Sequence, residues 1–215
     1  MNLDAVSIHN TLESPNEWDR IKLIKNRNFH PTHEEQLERL LTDDSSMVRY
    51  HTVKRIDIPL NPEQLLRAIH DPDAKVRSAA VLRPEWKVTS EIAEKGMQDE
   101  AAMVRLSWAI RQDYPLTRSI IMRGITDEES SIRCEWAGRK DFTPTEDMIE
   151  IGLTDPNAIV RVTWAERMDY TPTDEQIRRG LQDPSPNISA IWEKRVRSML
   201  HSEEIEMSEC DMLVL

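Results

Sequence analysis

Glycine, cysteine and the smaller aromatics are scarce in this 215-residue chain: five Gly, two Cys, two Phe and three Tyr. Each shortage excludes something. With so few glycines there is no glycine-rich phosphate loop and no nucleophile elbow. The two cysteines, Cys134 and Cys210, sit in unrelated contexts. They argue against a disulfide framework or thiolate metal site and suit a reducing compartment. No apolar run approaches the length of a membrane span. Met1-Asn-Leu-Asp-Ala-Val6 lacks the basic start and apolar core of a secretory signal, so the expectation is a soluble, cytoplasmic protein. Positive charge is also short. Lys and Arg number 28 against 39 Asp and Glu, a net charge of −11, which repels nucleic-acid phosphates and anionic lipid in general. Strand-like alternation is rare and 31% of residues are charged, a composition that fits an all-helical chain.

What is present is a repeat. Asp155-Pro-Asn-Ala-Ile-Val160-Arg161-Val-Thr-Trp164-Ala165-Glu-Arg167-Met-Asp169-Tyr170 recurs upstream with every number lowered by 28, as Asp127, Ile132, Arg133, Trp136, Ala137, Arg139, Asp141 and Phe142. The same step again reaches Asp99, Val104, Arg105, Trp108, Ala109, Arg111, Asp113 and Tyr114. The pattern continues to Asp71, Val76, Arg77, Arg83, then to Asp43, Val48, Arg49, Arg55, and downstream to Asp183, Ile188, Trp192, Arg195. Six copies without an insertion mean a repeat array, in which each unit buries its face against its neighbours. Three regions follow: an N-terminal capping segment at 1–30, six repeats at 31–199, and an acidic tail or closing helix at 200–215. Trp18, in the helical stretch Trp18–Ile24, is expected to be a packed cap residue.

Each repeat reads as two helices. The first opens at a capping column, Asn61, Thr89, Thr117, Thr145, Thr173, with His33 the exception. Thr173-Asp-Glu-Gln176 has capping-box spacing, and Asn61-Pro62 puts proline at the first helical position. Four of the five glycines, Gly96, Gly124, Gly152 and Gly180, share one column, with Ala68 and Leu40 in the earlier copies. Glycine inside a helix costs about 1 kcal/mol relative to alanine, so its recurrence predicts a close helix–helix approach or a helix end. The second helix carries the Val-Arg and Trp-Ala positions and ends before proline.

A helix, a turn bearing Asp, then Val-Arg six residues on in a second helix resembles the HEAT-repeat family of α-solenoids over residues 31–199. The short period is similar to the HEAT-like repeats of bilin-lyase-type proteins and to leucine-rich variant repeats. The resemblance implies a right-handed α-solenoid of about six two-helix repeats. It also implies a hydrogen-bonded ladder between repeats from Asp43/Arg49, Asp71/Arg77, Asp99/Arg105, Asp127/Arg133 and Asp155/Arg161. Asp183 has no matching arginine, because Ser189 stands at that position.

Function is less constrained. A second arginine column, Arg27 through Arg195, lies three residues after Trp108, Trp136, Trp164 and Trp192, a spacing that allows cation–π contact on a helix. The structural reading packs the indoles in the core and pairs the arginines with Asp or helix-terminal carbonyls. The functional reading makes Trp108, Arg111, Trp136, Arg139, Trp164, Arg167, Trp192 and Arg195 a partner-binding stripe, because such residues dominate binding hot spots. Trp is present only in the four C-terminal copies, so binding is expected to concentrate there. His9, His30, His33, His51, His70 and His201 show no metal-ligand spacing, and neither a metal nor a cofactor is expected. The expectation is a non-enzymatic adaptor, inhibitor or immunity-type module that holds a protein partner along its concave face, the acidic balance favouring a basic one. One alternative is a nucleic-acid mimic. Another is an enzyme similar to the HEAT-like DNA glycosylases, with Trp108 or Trp136, Asp113 or Asp141, and Arg139 or Arg167 in a cleft.

Overall fold

Helices and turns make up the computed structural model, which describes the backbone of residues 4–212 and the side chains of residues 4–201; there is no strand among them. Two compact units divide the chain, Met1–Pro115 and Leu116–Leu215. The first begins with α1 (Ala5–Leu12) and α2 (Glu17–Lys25). Three pairs follow: α3 (Glu34–Leu41) with α4 (Ser46–Val53), α5 (Pro62–Ile69) with α6 (Ala74–Val81), and α7 (Ser90–Gly96) with α8 (Ala102–Ile110). The second unit holds α9 (Arg118–Ile125) with α10 (Ser130–Gly138), α11 (Glu146–Leu153) with α12 (Ala158–Ala165), and α13 (Asp174–Leu181) with α14 (Pro186–Met212). Within each unit the second helices stack consecutively, α2 on α4, α4 on α6 and α6 on α8, and likewise α10 on α12 and α12 on α14. This is the architecture of an α-solenoid, built from helix pairs that recur at one constant period.

Most of these helices have seven to nine residues, too few to persist alone in water, so stacking holds them. Their starts are written locally. Asn61 with Gln64 and Thr173 with Gln176 form complete capping boxes, and Thr89 and Thr117 each accept from the amide three residues on. Thr145 departs from this pattern. It occupies the N-cap position without capping, and its hydroxyl bonds the Asp147 carboxylate instead. The innermost column, Val48, Val76, Val104, Ile132, Val160 and Ile188, is at most 2% exposed, as the Val-Arg register requires. α14 runs through 27 residues to Met212, so the segment read as a tail or closing helix starts inside it. Residues 213–215 lie outside the described residues. At the other end Trp18 is 58% exposed and not packed as a cap; Ile21, Leu23, Ile24 and Phe29 fill that role with Ile8 and Leu12.

Candidate functional site

The four tryptophans are the most deeply buried large side chains of the repeats, none of them more than 1% exposed. Their indoles lie flat against the glycine column. A Cβ built on Gly96 would meet Trp108 at 2.0 Å, and one on Gly124, Gly152 or Gly180 would meet the tryptophan of its own repeat at 2.2 to 2.3 Å. None of these glycines has positive φ, so they are there for space and not for backbone freedom. The earlier repeats fill the same two columns differently, with Ala68 and Ala80, then Leu40 and Thr52, all buried. Where the tryptophan column holds a small residue, the glycine column holds one larger than glycine. Absence of Trp from those copies is therefore compensated packing, and it gives no reason to place binding in the C-terminal half.

The second arginine column is equally interior. Arg83, Arg139 and Arg167 are 0–1% exposed, and Arg111 and Arg195 are 7% and 5%. Within each unit these side chains staple a repeat to the one before. Arg111 Nη1 donates to the carbonyls of Val81 and Arg83 at 2.6 and 2.8 Å, and Nη2 to that of Trp86 at 3.0 Å. Arg167 repeats this with Ala137, Arg139 and Phe142, Arg83 with Val53, Arg55 and Ile58, and Arg195 with Ala165 and Tyr170. The remaining edge grips a carboxylate two residues on, as in Arg111–Asp113, Arg139–Asp141 and Arg167–Asp169. Rings close the faces: the guanidinium carbon lies 4.4 Å from the Trp136 ring for Arg139, 5.2 Å from Trp164 for Arg167, and 5.3 Å from Trp192 for Arg195. Arg27, read as the first member, is exposed and outside the scheme.

The partner-binding assignment of Trp108, Arg111, Trp136, Arg139, Trp164, Arg167, Trp192 and Arg195 is thus corrected. These side chains are spent on carbonyls left open at helix ends and on filling inter-helix space, and none of them is more than 7% exposed. Asp113 and Asp141, proposed for a glycosylase-like cleft, are held by Arg111 and Arg139, and the indoles beside them are covered.

The ladder is bidentate. Arg49 Nε and Nη2 reach Asp71 at 2.7 and 2.8 Å, Arg77 reaches Asp99, Arg133 reaches Asp155, and Arg161 reaches Asp183. In each case Nη1 bonds the carbonyl of the aspartate in its own repeat, six residues back, as Arg105 also does with Asp99 at 2.9 Å. That aspartate in turn accepts from the amide two residues ahead, as in Asp43 with Ser45 and Asp127 with Glu129. One member was missed in the sequence. Arg20 grips Asp43 through Nε and Nη2 at 2.7 and 2.9 Å, but stands one residue short of the register, which points to 21. Its partner carbonyl belongs to Ser14, so no aspartate marks the turn.

The Arg161 guanidinium holds the Asp183 carboxyl below its ordinary value, and Arg55 pulls Asp57 down to about 2. A depressed carboxyl contributes stability above its unfolded pKa and loses it as pH falls through the folded one. The urea midpoint is therefore expected to stay level from about pH 7 to 5 with respect to these groups, and to fall from about pH 4 towards 2. Asp183→Asn with Asp57→Asn should flatten that fall, and an unchanged acid limb would show that the pairs do not contribute.

Two clefts open between successive first helices. One of about 600 Å³ has Gly96 and Trp108 at its floor and the Arg77–Asp99 pair at its rim. The other, about 290 Å³, has Gly180, Trp192, Arg161 and Asp183 at the equivalent positions of a later repeat. Their shared register makes them a product of the repeat.

A different surface stands out. On the exposed side of α4, α6 and α8, Met47, Tyr50, Ile56, Leu82 and Met103 line an open groove of about 520 Å³ with Lys54 and Lys75. Ile56 is 69% exposed, Leu82 49%, Met103 43%, and Ile110 at the end of α8 46%. Burial, then the charges of Lys25 and Lys54, push the His51 imidazole below its ordinary value. The groove lining carries no carboxylate: Met47, Tyr50, Val53, Lys54, Ile56, Lys75, Ser78, Ala79, Leu82 and Met103. Carboxylates close to these helices in sequence include Asp57, Glu85 and Asp113, held by Arg55, Arg83 and Arg111, and Asp73, which caps α6. Acid gathers on the first helices, where Glu38 pairs with Arg67 and Glu150 with Arg179. The net charge of the chain does not describe this face. Net charge alone could not reveal it, although lysine at 54 and 75 within an apolar register is a visible trace.

Comparison with known proteins bears on the fold alone. No family model matches the chain, and no curated protein matches it. A solved leucine-rich repeat variant, described as having a novel repetitive structural motif, is similar at 24% identity with a TM-score of 0.65. The match covers 90% of this chain and 72% of that one. The X-ray structure of Escherichia coli YibA is similar at 18% identity and a TM-score of 0.51, covering 89% and 81%. The chain is accordingly a helical repeat protein of the α-solenoid class. No helix among the described residues is long and apolar enough to cross a membrane.

Proposed function

We propose that the chain is a non-enzymatic protein-binding module of the HEAT-like kind, receiving its partner along the second-helix face of the first unit. The observation that carries this is the exposure of Ile56, Leu82 and Met103 along one groove, at or just past the ends of helices whose opposite side already fills the stack. Scattered apolar residues on a surface need no explanation, whereas a row of them across three adjacent helices marks an interaction site. The buried Trp, Arg and Asp columns support the reading indirectly. They fix the helices at a constant spacing, and a rigid scaffold presents a surface at little entropic cost.

The test is a pair of polar substitutions at similar exposure. Leu82→Asp on the second-helix face should abolish retention of the partner from native lysate while stability stays within about 0.5 kcal/mol of the parent. Leu66→Asp, on the first helix of the same repeat and 50% exposed, should leave retention intact. The reverse outcome, or equal losses, would move the site off this face.

A further inference from the structure

We infer that this face takes an amphipathic helix whose apolar stripe is flanked by carboxylates, and not the basic partner that a net charge of −11 suggests; the inference rests on the protein-binding reading above. Three features decide the class of occupant. The first is shape. Helices packed side by side lie about 8–10 Å apart, so α4, α6 and α8 give a floor roughly 20 Å across. That distance corresponds to about 14 residues of helix at about 1.5 Å each. The second is chemistry. Met47, Met103, Leu82 and Ile56 offer flexible apolar side chains, and methionine adapts to the contour of an incoming helix. The third is charge. Lys54 Nζ donates to the Tyr50 hydroxyl at 3.2 Å and lies 5.5 Å from that ring's centre, and neither it nor Lys75 has an ion pair among the described residues. Asp73, the acid that feels the charge of Lys75, is engaged by Ser46 and by backbone amides at the start of α6. Other exposed cations of this unit divide: Arg39, Arg67 and Lys95 pair with Glu13, Glu38 and Glu91, whereas Lys22, Lys25, Arg27 and Lys87 show no ion pair among the described residues, so what marks Lys54 and Lys75 is their place on the lining of the apolar groove. Two lysines without an ion pair at an apolar groove therefore set the sign of the partner. With Lys25 beside His51 they would meet a basic helix with repulsion at the rim and an acidic one with attraction.

The experiment uses the full chain and two fluorescent synthetic helices of about 18 residues with one identical Leu/Met stripe, flanked by Glu in one peptide and by Lys in the other. The Glu-flanked peptide should bind about tenfold more tightly at low salt, with the advantage shrinking as salt rises. Lys54→Glu with Lys75→Glu should invert the preference, and Leu82→Asp should weaken both peptides. A preference for the Lys-flanked peptide that Leu82→Asp removes would overturn the acidic partner yet keep the docking face. Binding of neither peptide, or binding insensitive to Leu82→Asp, would overturn the inference, and in the second case the face with it. Two further results would also overturn it. Adsorption to phosphatidylserine vesicles, lost on charge reversal, would give the face to a membrane surface. Concentration-dependent dimers in sedimentation, lost in the same variant, would give it to a second copy of this chain.

Discussion

Gly124→Ala is expected to destabilise the second unit by about 3 kcal/mol, although alanine is the better helix former. The added Cβ would lie 2.3 Å from two atoms of the Trp136 indole. The indole is fully buried, with its Nε1 lacking a hydrogen-bond partner, and cannot swing aside without opening the core. The sign should reverse once the ring is gone. Trp136→Ala alone removes a large buried side chain, at about 3–5 kcal/mol. On that background Gly124→Ala should stabilise by about 1 kcal/mol, the ordinary helix-propensity gain. The coupling between the two positions is then about 4 kcal/mol, larger than is usual for touching residues. Urea unfolding of the four proteins gives the cycle. A Gly124→Ala variant within about 0.5 kcal/mol of the parent would show that the ring is free to move. The chain itself already uses the compensated state, with Ala68 and Ala80 in one repeat and Leu40 and Thr52 in another.

That pairing also shows where reading the sequence succeeds and where it stops. The repeat spacing, the Asp/Arg ladder and the caps at Asn61 and Thr173 are legible because each depends on a local offset or a constant period. The close approach at the glycine column was legible for the same reason. Its partner was not, because Gly and Trp were read as separate columns, and only their joint variation between repeats ties one to the other. Arg20 escaped because it and Ser14 lie one residue further than a full period before Arg49 and Asp43, so an extra residue between 20 and 43 takes both out of register. The candidate site failed for a more general reason. Tryptophan and arginine are enriched both in interfaces and in well-bonded interiors, and a periodic column cannot distinguish them. The informative residues lay in columns whose identity drifts, such as Met47, Lys75 and Met103, where the stack imposes nothing.

Arg167→Met should cost about 3–5 kcal/mol, because it removes one side chain and strands two kinds of partner. The carbonyls of Ala137, Arg139 and Phe142 lose their donor in a place water does not reach, and Asp169 loses its counter-charge. Methionine fills much of the same volume, so the loss reports hydrogen bonds and charge more than a cavity. Asp169→Asn should be far milder, about 1 kcal/mol, because the guanidinium keeps its three carbonyls and the aspartate is one-third exposed. Arg55→Met supplies the internal control. Its guanidinium bonds Ile24, Asn26 and Phe29 in the same manner, but the Arg55 side chain is 13% exposed where that of Arg167 is not exposed at all, and Asp57 is 48% exposed, so water can replace part of what is lost. The expected order of destabilisation is Arg167→Met, then Arg55→Met, then Asp169→Asn, read from urea midpoints at about pH 7. A partner-binding stripe makes the opposite prediction: Arg167→Met would leave stability within about 1 kcal/mol of the parent and act on affinity alone.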